Sequence, residues 1–182
     1  TCALPILFAA LMVFWMPSAV RDYTLRVVPA VTEREIGNGL LQELERFTGR
    51  ACTSALSTRA LDQLSNRLFE RPVSIAILRE GLESVRVLPG NVIIVSHTLV
   101  EDYDTPDVLA GYLLQLDLDI EPRDMLQKML KTAGLLPTFR LLTTGHLSQA
   151  TLQEFAKGLL NSPAIIPEDT RLIAAFYEHG VR

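Results

Sequence analysis

The first twenty residues contain no Asp, Glu, Lys or Arg. Residues 3–20 read ALPILFAALMVFWMPSAV. As a helix rising about 1.5 Å per residue, a run of twenty spans roughly 30 Å, the thickness of a hydrocarbon core. Trp15 stands near one end, where an amphipathic ring suits the lipid–water boundary. Residues 1–20 are therefore expected to form a single-pass anchor, with the lipid bilayer as partner. A cleaved signal peptide is the main rival. It would require a basic leading stretch and a small-x-small cleavage site, and Pro17-Ser18-Ala19 is a poor one. A helix buried in a protein core is the third reading. Arg21 and Arg26 follow the run, which by the positive-inside rule would leave the remainder in the cytoplasm, although Asp22 offsets one of them.

Beyond the anchor the chain has the size of one domain within its 182 residues. Seventeen basic against twenty-one acidic side chains give a formal charge of −4, which argues against a nucleic-acid partner, since that would need a clustered basic surface. Residues 21–31 read as a juxtamembrane linker and residues 32–182 as the folded domain. Thr32 and Glu35 have the spacing of a capping box, and Ile36, Leu40, Leu41, Leu44 and Phe47 continue with a helical period up to Gly49. A second helix is expected over residues 58–69. The period then changes to that of strands at 73–78, 85–88 and 91–95, with Pro89-Gly90-Asn91 as a turn between the last two. Thr105 as N-cap and Pro106 at the first position open an apolar helix that runs to about Ile120. Further helices are expected at 122–133, 148–160 and 167–179, punctuated by Gly134, Pro137, Gly145 and Pro163. The class is α+β, mainly helical, with a small three-stranded sheet that is antiparallel in part. The two cysteines, Cys2 and Cys52, lie on opposite sides of a spanning anchor, and Cys52 is expected to be a free, buried thiol.

The junction between sheet and helix carries a resemblance. Val87-Leu88-Pro89-Gly90-Asn91-Val92-Ile93-Ile94-Val95, then Leu99-Val100-Glu101, then Asp107-Val108-Leu109-Ala110-Gly111-Tyr112-Leu113 resembles the HtpX and CAAX-prenyl-protease superfamily of zinc metallopeptidases. That family reads L-P-G-G, a strand, and then D-E-L-A-A-V-L-A-H-E-I-x-H. Upstream, Glu35-Ile36-Gly37 is similar to the family's E-x-G helix start, and Cys52 with Ala60-Leu61-x-x-Leu64 is similar to proteobacterial members. The resemblance covers residues 32 to 182 and implies a metallopeptidase-like domain at a bacterial inner membrane.

It also implies a lost site. In the family, two His ligands one helical turn apart bind zinc, and the Glu between them is the general base for water. Counting on from Asp107, Gln115 falls at the first His, Leu116 at the base and Asp119 at the second His. Counting back from Gly180, Asp169 matches a later Asp of the family, and Ile165 then falls where the third ligand, a Glu, would stand. Ser84 replaces the family's substrate-side Asn. His97, His146 and His179 are scattered over different elements. The resemblance thus implies a catalytically inactive pseudopeptidase with no metal and no cofactor. Its role would be that of an interaction or accessory subunit of a membrane protein complex, with an integral membrane protein as partner. A membrane-bound peptidase or other hydrolase with an unrecognised site is the alternative. Relatives with a preceding helix look outward-facing, which tips the placement of the domain slightly towards the periplasm.

Other constellations have plainer explanations. Asp117, Asp119, Glu121 and Asp124 lack the Gly-containing calcium loop and read as a solvated helix end. There, Asp119 could hydrogen-bond to Gln115 or Arg123. No Ser sits in a G-x-S-x-G elbow, and Cys52 has no His near it in sequence. The former cleft is expected either to be packed shut by Leu113, Leu116 and Ile120 or to serve as a docking groove. Carbonate washing checks the anchor: the protein should stay with the membrane pellet, and its release into the wash would remove the spanning reading.

Overall fold

The central strand of a three-stranded sheet organises the fold. The computed structural model describes residues 20, 22–119, 122–162 and 176. Its strands are β1 (Ser74–Leu78), β2 (Val85–Leu88) and β3 (Val92–Ser96), in spatial order β1-β3-β2. β3 runs parallel to β1 and antiparallel to β2, with Ile93 opposite both Ile75 and Val87. The helices are α1 (Ala30–Thr48), α2 (Ala55–Leu68), the short α3 (Thr98–Glu101), α4 (Pro106–Asp119), α5 (Pro122–Ala133), α6 (Leu135–Thr144) and α7 (Gln149–Leu160). The class is α+β, mainly helical with a small mixed sheet, as the change of period at residue 73 predicts.

Strand side chains alternate between two faces, and here both faces are dry. Ile77, Val85, Val87, Ile93 and Val95 point to one side, where Leu68 of α2 and Leu109, Leu113, Leu114 and Leu116 of α4 complete a core. Leu78, Leu88, Val92 and Ile94 point to the other, against Leu40 and Leu44 of α1 and Ala156 and Leu159 of α7. The result is three layers: helices, sheet, helices. A third core has no strand in it. Ile36 of α1 meets Leu126, Met129 and Leu130 of α5 and Leu141 of α6, with Leu25 and Val28 packed alongside.

The turn after β2 locks onto α1. Gly90 and Asn91 both have positive φ, at 73° and 62°. A Cβ built on Gly90 would lie 2.3 Å from Cα of Arg34, and one on Gly37 would lie 2.0 Å from the Pro89 carbonyl oxygen. Gly37 therefore meets the Pro89 carbonyl and Gly90 the Arg34 backbone, so the two segments that carry the resemblance approach each other through bare backbone.

Four local expectations need correction. Thr32 does not cap α1: the helix starts at Ala30 behind Pro29, which holds an extended backbone (φ −68°, ψ 152°) and makes no side-chain cap. The Glu33 amide bonds the Pro29 carbonyl at 3.1 Å, so Thr32 lies inside the first turn. A capping box does occur one helix later, between Ser54 and Ser57, and starts α2 before the expected position. The sequence reading missed α6 altogether because Pro137 looked like punctuation. Pro137 lies in the first turn, where amides have no intrahelical acceptor to lose. Gly134 precedes the helix and Gly145, at φ 74°, closes it with an N–H to the Leu141 carbonyl. Residues 22–27, within the stretch read as a linker, are helical. The proposed anchor, the expected helix at 167–179 and most of the C-terminal segment lie outside the described residues. Among the described residues no helix is long and apolar enough to cross a membrane.

Gly90→Ala should destabilise the protein by about 3 kcal/mol or more, because a left-handed φ and a backbone collision add. Gly49 has a similar φ of 78° with nothing within 4 Å of a built Cβ, so Gly49→Ala should cost only about 1–2 kcal/mol. Urea denaturation of the two variants measures the difference.

Candidate functional site

α4 carries the positions where the resemblance puts a zinc-binding helix. Four consecutive residues, Leu113, Leu114, Gln115 and Leu116, are buried, and Gln115 and Leu116 are only 2% and 1% exposed. A surface helix buries one stripe; α4 is enclosed because the sheet lies beneath it and α2 and α3 flank it. Leu116 belongs to the core formed with Phe69, Val87 and Ile93. The space beside it, lined by those residues with Arg71, Val73, Asn91 and Asp117, amounts to about 10 Å³, no more than a single water needs.

One residue further on, α4 reaches solvent. Arg71 pairs with Asp117 through Nη2 and Oδ1, while its guanidinium lies over the Phe69 ring at 5.7 Å from the centroid. Arg71 and Asp117 both line the small space beside Leu116. Because both side chains are about one-third exposed, the pair is worth at most about 1 kcal/mol.

The remaining positions divide between placed and undescribed. Ser84 is buried just before β2, and its carbonyl accepts the Ser96 amide at 3.0 Å. His97 is half-buried at the start of α3, and His146 is exposed after α6. Cys52 is a free thiol, half-buried against the α4-side core. Ile165, Asp169, His179, Ile120, Glu121 and the side chains of Asp119 and Arg123 lie outside the described residues. Neither the third-ligand position nor the hydrogen bond expected from Asp119 is therefore described. Among the described residues no three His, Cys, Asp or Glu side chains group as a metal site.

Sequence reasoning missed two features near the sheet. β2 is an edge strand by order, yet all four of its residues are buried, since α4 and α5 both pack on it. Arg86 is buried on that strand; Nη1 donates to the Val85 carbonyl at 2.9 Å and Nη2 to the Ser162 carbonyl at 3.1 Å. Burial pulls its guanidinium below the ordinary arginine value, and Glu83 partly offsets this. An arginine alternating with valines in a strand gave a polar-face signal, and only the approach of the α7 C-terminus covers it. The second feature is a groove of about 480 Å³ between α2 and the α3–α4 connection, lined by Leu61, Leu64, Arg67, Leu99, Tyr103 and Asp104 among others. The flagged Ala60-Leu61-x-x-Leu64 segment forms one of its walls.

No protein-family model matches this chain, and no curated protein matches it.

Leu116→Ala removes a fully enclosed side chain and should cost about 2–5 kcal/mol, a fall in Tm of roughly 5–15 °C for a chain of this size. Leu118→Ala, at a position 40% exposed, should shift Tm by about 1 °C or less. A Leu116 shift as small as that of Leu118 would mean that the side chain faces an open cleft.

Proposed function

We propose that the chain is a membrane-anchored, catalytically inactive metallopeptidase-like protein that acts as an interaction or accessory subunit of a membrane protein complex. The observation that carries this reading is the burial of Leu116. At the position where the resemblance puts a general base, the side chain is hydrocarbon, 1% exposed, and the space beside it, about 10 Å³, holds a single water at most and is far too small for a substrate. A peptidase needs a base in contact with a bound water and an open ligand position. On this reading residues 1–20 hold the domain at an inner membrane, with the periplasmic side slightly favoured by the resemblance, and an integral membrane protein is the partner.

A hydrolase with an unrecognised site is the second reading, and the groove beside α2 is the place it would use. The groove offers the Tyr103 hydroxyl, Asp104 and Arg67. Among the described residues its lining holds no His, Cys or Ser, and Thr105 is its aliphatic hydroxyl, so a Ser–His or Cys–His pair is not assembled there.

Elemental analysis of the detergent-extracted full chain tests the proposal. Zinc should be far below one per chain, and a stoichiometric zinc lost on Asp119→Ala would overturn the pseudopeptidase reading. The triple replacement Gln115→His, Leu116→Glu, Asp119→His should not restore proteolysis of an unfolded substrate. It should lower stability by several kcal/mol, because it places a carboxylate in the core.

A further inference from the structure

Large apolar side chains left on the surface occur on the elements that build the third core. Among the described residues, Tyr23, Val27, Val31, Leu135, Leu136 and Phe139 make up six of the eleven exposed large hydrophobic residues. Three belong to α6 alone. Leu136 is 85% exposed, Phe139 63% and Leu135 45%, while Thr138 and Leu141 fill the opposite, inward face. Isolated surface leucines are ordinary, but a contiguous apolar face on one helix marks a contact surface.

Two observations identify what covers it. The first is where the charge-free run re-enters the described structure. Thr24 Oγ1 donates to the Val20 carbonyl at 2.7 Å, and the helical stretch 22–27 leads to Leu25 and Val28, which pack into the same core as Leu141 of α6. The end of the apolar run and the apolar face of α6 thus hang from one cluster. The second is charge. Residues 125–153 contain Lys128, Lys131 and Arg140 and no Asp or Glu, within a chain of net charge −4, and all three cations are exposed. Arg140 lies on α6 itself and Lys128 and Lys131 on the helix that precedes it, and exposed cations together with an apolar helical face suit the boundary between acyl chains and anionic headgroups.

We propose that α6 is a second membrane contact. Leu135, Leu136 and Phe139 enter the interface of an anionic bilayer beside the anchor, and Lys128, Lys131 and Arg140 face its headgroups. This rests on the anchor reading of residues 1–20. The contact adds to the anchor a second point at which the domain meets the bilayer, and so limits its tilt against the membrane.

Site-directed spin labelling of the full chain in phosphatidylglycerol–phosphatidylcholine vesicles tests it. A nitroxide is placed on Leu136→Cys or Phe139→Cys in a Cys2→Ser, Cys52→Ala background, with Leu56→Cys on α2 as the aqueous reference. At 136 and 139, collisions with oxygen should exceed collisions with a water-soluble nickel chelate several-fold, and at 56 the ratio should reverse. Pure phosphatidylcholine vesicles should move the labels at 136 and 139 outward while the protein still floats with the lipid. Flotation with a label at 136 as aqueous as that at 56 overturns the α6 contact and leaves the anchor standing. Labels at 136 shielded from both relaxing agents assign the face to a protein, including a second copy, and overturn the proposal. A depth unchanged between the two lipid mixtures overturns the choice of anionic headgroups. Failure of the protein to float at all overturns both the contact and the anchor.

Discussion

The sheet is buried on both faces, and most of the remaining architecture is a response to that. β3 is hydrogen-bonded on both edges, and all five of its residues are buried. A strand in that position must have helices above and below it, since neither face can be left wet without losing the burial that drives folding. α2 and α4 cover one side, α1 and α7 the other. The turn from β2 to β3 then fixes α1 in place, because Gly37 and Gly90 allow two backbones to meet where any side chain would hold them apart. The enclosure of α4 follows from the same constraint: it is the layer that seals the odd-numbered face of the sheet.

The sequence made the sheet legible for a physical reason. Val73-Ser74-Ile75-Ala76-Ile77-Leu78 and Asn91-Val92-Ile93-Ile94-Val95 are β-branched runs with turn residues at their borders, and the observed strands lie within one residue of those limits. Helix starts were less legible because rival caps compete. Thr32 and Glu35 have the spacing of a capping box, but Pro29 three residues earlier is stiff and places its carbonyl where the first helical amide bonds it. Ser54 and Ser57 form the reciprocal cap without the Glu or Gln that usually signals one. α6 was hidden by Pro137, whose disruptive effect depends on distance from the helix start. That distance could not be known before Gly134 was recognised as the residue that precedes the helix.

At the candidate site the sequence was legible as a pattern and silent about consequence. The order Asp107-Val108-Leu109-Ala110 sets the count that brings Gln115, Leu116 and Asp119 into register. Nothing in that count says whether a leucine in place of a carboxylate lines a groove or closes one. The packing of Phe69, Val87 and Ile93 around Leu116 gives a closed arrangement. Those partners come from a loop and two strands far away in sequence, which is why periodicity on α4 could not supply them. Arg86 illustrates the converse: its local pattern reads as solvent-facing, and the end of α7 covers it through the Ser162 carbonyl.

The three cores are not equivalent, and the difference bears on where this protein meets its surroundings. The two cores on the sheet faces are closed by helices that leave single large apolar side chains exposed, among them Phe47, Leu56 and Leu118. The third is built only of helices and a short N-terminal turn, and its outermost element, α6, presents leucine and phenylalanine outwards. An amphipathic helix normally turns its polar face to water; α6 has apolar residues on both faces, so in water alone its outer face gains nothing from its composition. A two-sided apolar helix at the rim of a domain makes physical sense when a further layer is supplied from outside. Lipid at an interface is such a layer, and unlike a protein partner it needs no shape match to three protruding side chains, only depth and a complementary charge around them. The acid-free stretch from 125 to 153 provides that charge in the part of the chain where the apolar face occurs. On the proposed reading, the domain therefore turns its third core to the membrane and keeps the buried run of α4 inside, and the groove beside α2 is a separate concave surface.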